Sequence, residues 1–272
     1  GLCFGKMNQK KKNNHPVFHI RKVRKNRFNR KDFLTCNFAY HMSYNYLPLD
    51  KSWLSFEQVE HFLAYNQQVS ITFDAHKRIT ACRDYLDHKL ATTDHPIYGI
   101  NTGFGPMAQY KVNEKNLLQL QYNLIRSHSS GGGNIMNPIL VKAVMIARLN
   151  SLMQAYSGVL PDIVELLKEL INKDVSPCIF EHGGVGASGD LVQLAHLALV
   201  LIGEGEVVYE GEVQPTATVF SKLKIKPLSI HIREGLAILN GTSAMTGIGM
   251  VNIIQAQKLL EWSVMLSAMI NE

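Results

Sequence analysis

Apolar side chains recur at helical spacing through most of the chain, so the pattern predicts a mainly helical protein. Ser55 followed by Gln58 makes a capping box ahead of Val59, Phe62 and Leu63 and predicts a helix start. A second helix is expected over 74–90. Pro96 to Met107 holds Pro96, Gly99, Gly103 and Gly105 and reads as a loop. Over 113–127, Leu117, Leu120, Leu124 and Ile125 share one stripe, the mark of an amphipathic helix. Further helices are expected at 138–155, 161–172, 190–202, 231–239 and 243–270. Strands look few and short, with 206–209 and 212–214 forming a small hairpin. The lack of alternating strand and helix signals argues against a parallel-sheet enzyme.

Composition sharpens this only at the edges. With 272 residues, 46% of them hydrophobic, and a mean hydropathy of −0.04, the chain can bury a sizeable core and is neither collagen-like nor disordered. Cys3, Cys36, Cys82 and Cys178 show no short pairing, which indicates neither a zinc site nor a disulfide framework. A cytoplasmic setting is the default. The apolar run Leu191 to Ile202 is too short to span a bilayer, and no transmembrane helix or membrane partner is expected.

The net charge of +6 divides unevenly. Residues 1–50 carry eleven Lys/Arg against Asp32 and Asp50, or +9, leaving −3 for the rest. Residues 1–45 show no period, and the basic run reads as a disordered or extraneous tail ahead of a folded part spanning 46–272. The start at Gly1 and the position of Met42 favour that reading. A nucleic-acid or anionic-surface arm and an organelle presequence are the alternatives. No nucleic-acid partner is expected of the folded part.

The most informative segment runs from Gly183 to Asp190. Gly184, Gly186 and Gly189 match the dinucleotide fingerprint, with Glu206 and Glu210 near the distance of a ribose acid. A genuine fingerprint follows a buried strand inside a strand–helix–strand unit, and the short 177–180 segment supplies no such context. The other reading uses Ala187-Ser188-Gly189 as reacting backbone. Gly189 has no Cβ to obstruct its nitrogen, which can fold back on the Ala187 carbonyl and close a five-membered ring. Loss of the Ser188 hydroxyl then leaves an exocyclic alkene. Asp190 is expected to cap the helix that follows, turning its positive end toward that electrophile. Taken alone, the tripeptide reads as an ordinary glycine-rich loop before a capped helix.

Three further blocks lie in order around it. Residues 186–191 resemble the signature of the aromatic amino-acid ammonia-lyases, whose prosthetic group is 4-methylidene-imidazol-5-one (MIO). Residues 98–105 resemble that family's tyrosine loop, 123–128 its substrate-selecting helix end, and 239–242 its asparagine block. The resemblance covers 47–272. It implies the N-terminal part of a fumarase/aspartase-like helical bundle, working as a homotetramer on a small aromatic amino acid without metal or nucleotide. It also implies a chain cut before the full bundle, inactive alone, with Leu259, Leu260, Met265 and Met269 left uncovered.

By the same resemblance, Ala187, Ser188 and Gly189 form MIO, supported by Gly186 and Asp190. Tyr98 becomes the general base for the β-proton, Asn240 a partner of the ring, and Ser127 and His128 the contacts to the substrate's aromatic ring. A phenol titrates near pKa ~10 and must be tuned downward to serve as a base. The polar Ser127-His128 pair demotes phenylalanine and suits histidine or tyrosine, with histidine leading. Ser129-Ser130 and Val192-Gln193 depart from the histidine enzymes' usual Ala-Ala and Ala-Pro, which leaves substrate choice open. An aminomutase using the same group, a truncated or degenerate helical interaction module and, last, a dehydrogenase complete the alternatives.

Overall fold

A computed structural model describes residues 46–50, 53–93 and 95–272. The basic tail over 1–45 lies outside the described residues. The centre of the described fold is α4 (Pro138–Met153), whose first turn is set by Pro138 and by the Asn137 Oδ1 that accepts from Ile139 N at 2.9 Å. Val141, Val144, Met145, Ile146, Leu149, Leu152 and Met153 are all buried along it. Each fully buried side chain of this size contributes on the order of 2 kcal/mol.

Against α4 pack α5 (Pro161–Asn172) and the long α9 (Ser243–Asn271), and α6 (Leu191–Leu201) lies against both of those. α9 approaches closest at Gly247, where a Cβ would lie 2.5 Å from Val144 N. Only a residue without a side chain permits that backbone contact.

The other helices follow the pattern read from the sequence, except one over 216–223 that the pattern did not include. α1 (Phe56–Tyr65) begins at the expected capping box, with Ser55 and Gln58 exchanging side-chain and backbone hydrogen bonds. α2 (Phe73–Thr92) and α3 (Glu114–His128) come next, and α7 (Thr216–Leu223) follows the hairpin. α8 (Glu234–Leu239) starts three residues later than expected. Arg233 is left-handed at φ 80°, and the buried Glu234 carboxylate accepts from His231 N and Leu160 N instead of letting the turn continue backward.

The strands add what the local pattern missed. β1 (Tyr46–Leu49) pairs in parallel with β2 (Gln68–Ile71) across α1, in register Tyr46–Gln68 to Leu49–Ile71. β3 (Gly132–Ile135) pairs antiparallel with β5 (Phe180–His182). β4 (Ser176–Pro177) adds a third strand to the expected hairpin of β6 (Glu206–Tyr209) and β7 (Glu212–Pro215). Cys178 follows β4 and is buried, and burial together with the Glu206 carboxylate pushes its thiol up to about 11.

The stretch Glu234–Asn271 is long and apolar enough to cross a membrane by length and composition, which the sequence reading had not anticipated. Nearly half of its most apolar window is buried within the fold, as in a core helix.

Candidate active site

α8 is only six residues long, yet three of the expected site blocks converge on it. On one side lies the tyrosine loop. A Cβ on Gly99 (φ 70°) would sit 2.3 Å from Leu236 Cδ2 and 3.2 Å from Arg233 Nη1. The loop is tied internally by Asn101, whose Oδ1 accepts from Ile97 N at 2.6 Å while Nδ2 donates to His95 O. Tyr98 is half exposed (52%), edge-on to Phe104 at 6.5 Å between ring centres. Burial pulls the Arg233 guanidinium down from its ordinary value, and attraction to Tyr98 partly restores it.

On a second side α3 presses its backbone against α8. A Cβ on Gly235 would lie 2.9 Å from both Gln121 O and Oε1, and Leu236 N donates to Gln121 Oε1 at 3.3 Å. α3 ends in Ser127 and His128. His128 Nδ1 lies 2.9 Å from Leu124 O. A carbonyl only accepts, so Nδ1 carries the proton, and in the uncharged ring Nε2 is an acceptor.

Beyond His128, Gly131 N donates at 3.1 Å to Nε2 of His196, a buried residue of α6 set edge-on against Phe180. Burial pushes the His196 imidazole down from its ordinary value.

The far end of α8 is Asn240, exposed, and Gly241. Residues 186–190 form a continuous run of bends, with Gly186 at φ 69° and Gly189 at φ 97°, conformations that favour glycine. Ala187 and Ser188 are exposed, and Val185 is 91% so. The segment is tied to the asparagine block by backbone: Asp190 N donates to Gly241 O at 2.7 Å. A Cβ on Gly189 would come within 2.5 Å of that same oxygen.

The Asp190 side chain corrects an expectation. It makes no cap on its own helix, α6, because its backbone (φ −95°, ψ 50°) is outside the extended region that an N-cap requires. Its Oδ2 accepts instead from Met245 N, in the first turn of α9, at 2.8 Å. One residue therefore closes the glycine segment and opens the long helix.

Gly189 of the tripeptide thus abuts Gly241 directly and Asp190 reaches Gly241 and Met245, while Tyr98 and His128 reach the same region through α8 and α3. Among the described residues no hydrogen bond joins the side chains of Tyr98, His128 or Asn240 to Ser188. An open cavity of about 410 Å³ borders the segment, with Gly184, Gly186, Asp190, Gln193 and Met245 among its walls. The dinucleotide reading finds no frame here. β5 pairs antiparallel with β3, and Glu206 and Glu210 belong to an antiparallel hairpin and its turn.

Sequence reasoning gives no role to Arg148, Gln121 or His196. A charged residue set between the apolar run 143–147 and Leu149 was the available signal for Arg148.

Comparison with known proteins matches this architecture. The model of the aromatic amino acid lyase family fits residues 54–272. The chain is 44% identical over 206 residues to a histidine ammonia-lyase of Shouchella clausii, covering 76% of this chain and 41% of that protein. It is 45% identical over 174 residues to a tyrosine 2,3-aminomutase of Chondromyces crocatus, covering 64% and 33%. A solved histidine ammonia-lyase from Trypanosoma cruzi superposes with a TM-score of 0.71 at 31% identity, over 79% of this chain and 41% of that one. The chain spans about two-fifths of the length of the curated relatives it matches. It belongs to the aromatic amino acid lyase family.

Proposed function

We propose that this chain carries the prosthetic-group-bearing part of an ammonia-lyase that eliminates ammonia from an aromatic L-amino acid. Histidine, giving urocanate, is favoured over tyrosine, giving p-coumarate. The observation that carries this is the junction of Gly189 and Asp190 with Gly241, because it seats the tripeptide beside Asn240 on a glycine-only backbone. Ala187, Ser188 and Gly189 fit the MIO group: the bends and the close approach at Gly189 leave no room for a Cβ in the nucleophilic residue. Once formed, the group supplies an electrophilic alkene that draws electrons from the amine-bearing substrate.

The chain's own residues do the rest. The Tyr98 phenolic oxygen takes the β-proton, close to the Arg233 cation. Asn240, exposed at the end of α8, turns its amide to the ring. His128 offers Nε2 to a ring that carries an N–H or O–H donor, which suits an imidazole or a phenol and leaves a plain phenyl without a partner. Asp190 and Gly186 hold the shape of the segment.

The remainder of the site comes from further chain and from other subunits of a homotetramer, on the uncovered face of α9. A cytoplasmic setting belongs to the same reading. The identity to a tyrosine 2,3-aminomutase favours one second reading, in which the ammonia is returned to the β-carbon.

The test offers histidine, tyrosine and phenylalanine separately to the full-length protein and follows ultraviolet absorbance of the conjugated product, with the mass of the intact polypeptide measured alongside. Histidine is expected to give the fastest rise, on a chain lighter by two waters. Turnover on a chain of unmodified mass overturns the chemistry.

A further inference from the structure

Arg148 places a cation on an apolar helix that gains nothing from one. It lies on α4 between Met145 and Leu149 with 3% of its surface exposed. Removing a guanidinium from water costs several kcal/mol unless its donors are met. A methionine or leucine would serve packing better.

Among the described residues Arg148 makes no salt bridge, although the Asp190 carboxylate attracts it; burial dominates and pushes it down to about 10. Its Nη2 donates to Ala237 O and, at 2.9 Å, to Asn240 O, while its Nε is left without a partner. Nη1 occupies the place of a Gly241 side chain, 2.4 Å from where a Cβ would stand.

Every one of these contacts falls on residues 237–241. The next carbonyl along, that of Gly241, holds the Asp190 N–H and abuts Gly189. A continuous path of hydrogen bonds and close contacts therefore runs from Arg148 through the Asn240–Gly241 peptides to the exit of the tripeptide.

We propose that Arg148 is a positioning residue for maturation of the tripeptide, gripping the Asn240 carbonyl so that Gly241 fixes the place from which the Gly189 nitrogen attacks. This rests on the reading that Ala187–Gly189 becomes the prosthetic ring. In that step the Gly189 nitrogen bonds to the Ala187 carbonyl carbon. The Ala187 oxygen leaves as water with the protons of Gly189 N–H and Ser188 N–H, so that a C=N bond forms to the Ser188 nitrogen. The Ser188 hydroxyl leaves as a second water with the proton on Ser188 Cα, and the alkene remains. No oxidant is consumed, and Arg148 contributes no atom. Its share is the geometry, and intramolecular cyclisations depend steeply on how often the reacting atoms are aligned.

The test uses the full-length protein and reads mass and folding together. Arg148→Met is expected to fold, with the dehydrated fraction reduced at least about tenfold. Arg148→Lys, whose single ammonium head cannot form the same fork, should fall between Met and wild type. KM, and turnover per dehydrated chain, should stay at wild-type values, because Arg148 does not touch the substrate. A purely structural role predicts a lowered Tm with dehydration complete, and that result overturns the proposal. If Arg148→Met does not fold, Gly241→Ala decides, since its new Cβ displaces the guanidinium: incomplete dehydration is expected, and complete dehydration overturns the assignment. A wild-type protein that is itself undehydrated refutes the ring reading, and this inference with it. A fully dehydrated wild type with fully dehydrated variants refutes the role of Arg148 alone.

Discussion

The inner and outer halves of α9 are both rich in apolar residues but differ in their surroundings. Ser243, Ala244, Gly247, Val251 and Ile254 are buried, and Gly247 lies against the backbone of α4. From Leu259 onward the apolar side chains stand in the open, except for Met265, which is partly buried rather than uncovered as expected; Leu260, Trp262, Met269 and Ile270 are each more than half exposed. The inner end is also where polar ties collect, through the Asp190 carboxylate on Met245 N. An apolar stripe thus states a demand for cover without saying who supplies it. The proposed chemistry sits at the end where this chain supplies the cover itself.

The largest expected effect lies in the glycine segment joined to the inner end. Ser188→Ala in the full-length enzyme should lower turnover by about a thousandfold or more, since no alkene can form. Its Tm should match wild type, which separates chemistry from anchoring. Gly247→Val forces a side chain into the backbone of α4 and should cost about 3 kcal/mol, read as a lower denaturation midpoint.

Asp190→Ala removes the acceptor for Met245 N and the charge facing Arg148, and should cost about 2 kcal/mol in the same measurement. At the outer end, Leu259→Gln combined with Met269→Gln should shift the stability of the 272-residue chain by less than about 0.5 kcal/mol and reduce its light scattering. A large loss there would mean that the outer half is already covered.

The smallest effect is a matter of pH. Because burial lowers the His196 pKa, the unfolded chain binds the proton first as pH falls through about 6.5. Stability from this group is complete above that value and declines below it until the folded ring also protonates. Wild type should therefore lose Tm on acidification faster than His196→Asn, which has no such titration.

What could be read from the sequence followed its range in space. The capping box at Ser55 and Gln58, the loop around Tyr98, helix 161–172 and the hairpin at 206–214 are local, and each stands where the pattern put it. The β1–β2 pair was missed because parallel partners 22 residues apart leave no trace in a four-residue run. Asp190 was read as a cap on α6, since that is the helix next in sequence, whereas the cap it makes is to a helix 55 residues on. The family of the chain was legible from four short blocks in order. The role of α8 as the hub that joins three of them was not, because it rests on contacts with Gly99, Gln121 and Arg148, all far from it in sequence.

The buried Cys178 has a practical consequence for anyone attaching a probe to this protein. A thiol held near 11 is ionised in roughly one molecule in ten thousand at neutral pH, so alkylating reagents will pass it by. Cys82 on α2 is partly exposed, and of the two described cysteines it is the one more open to labelling in the folded state.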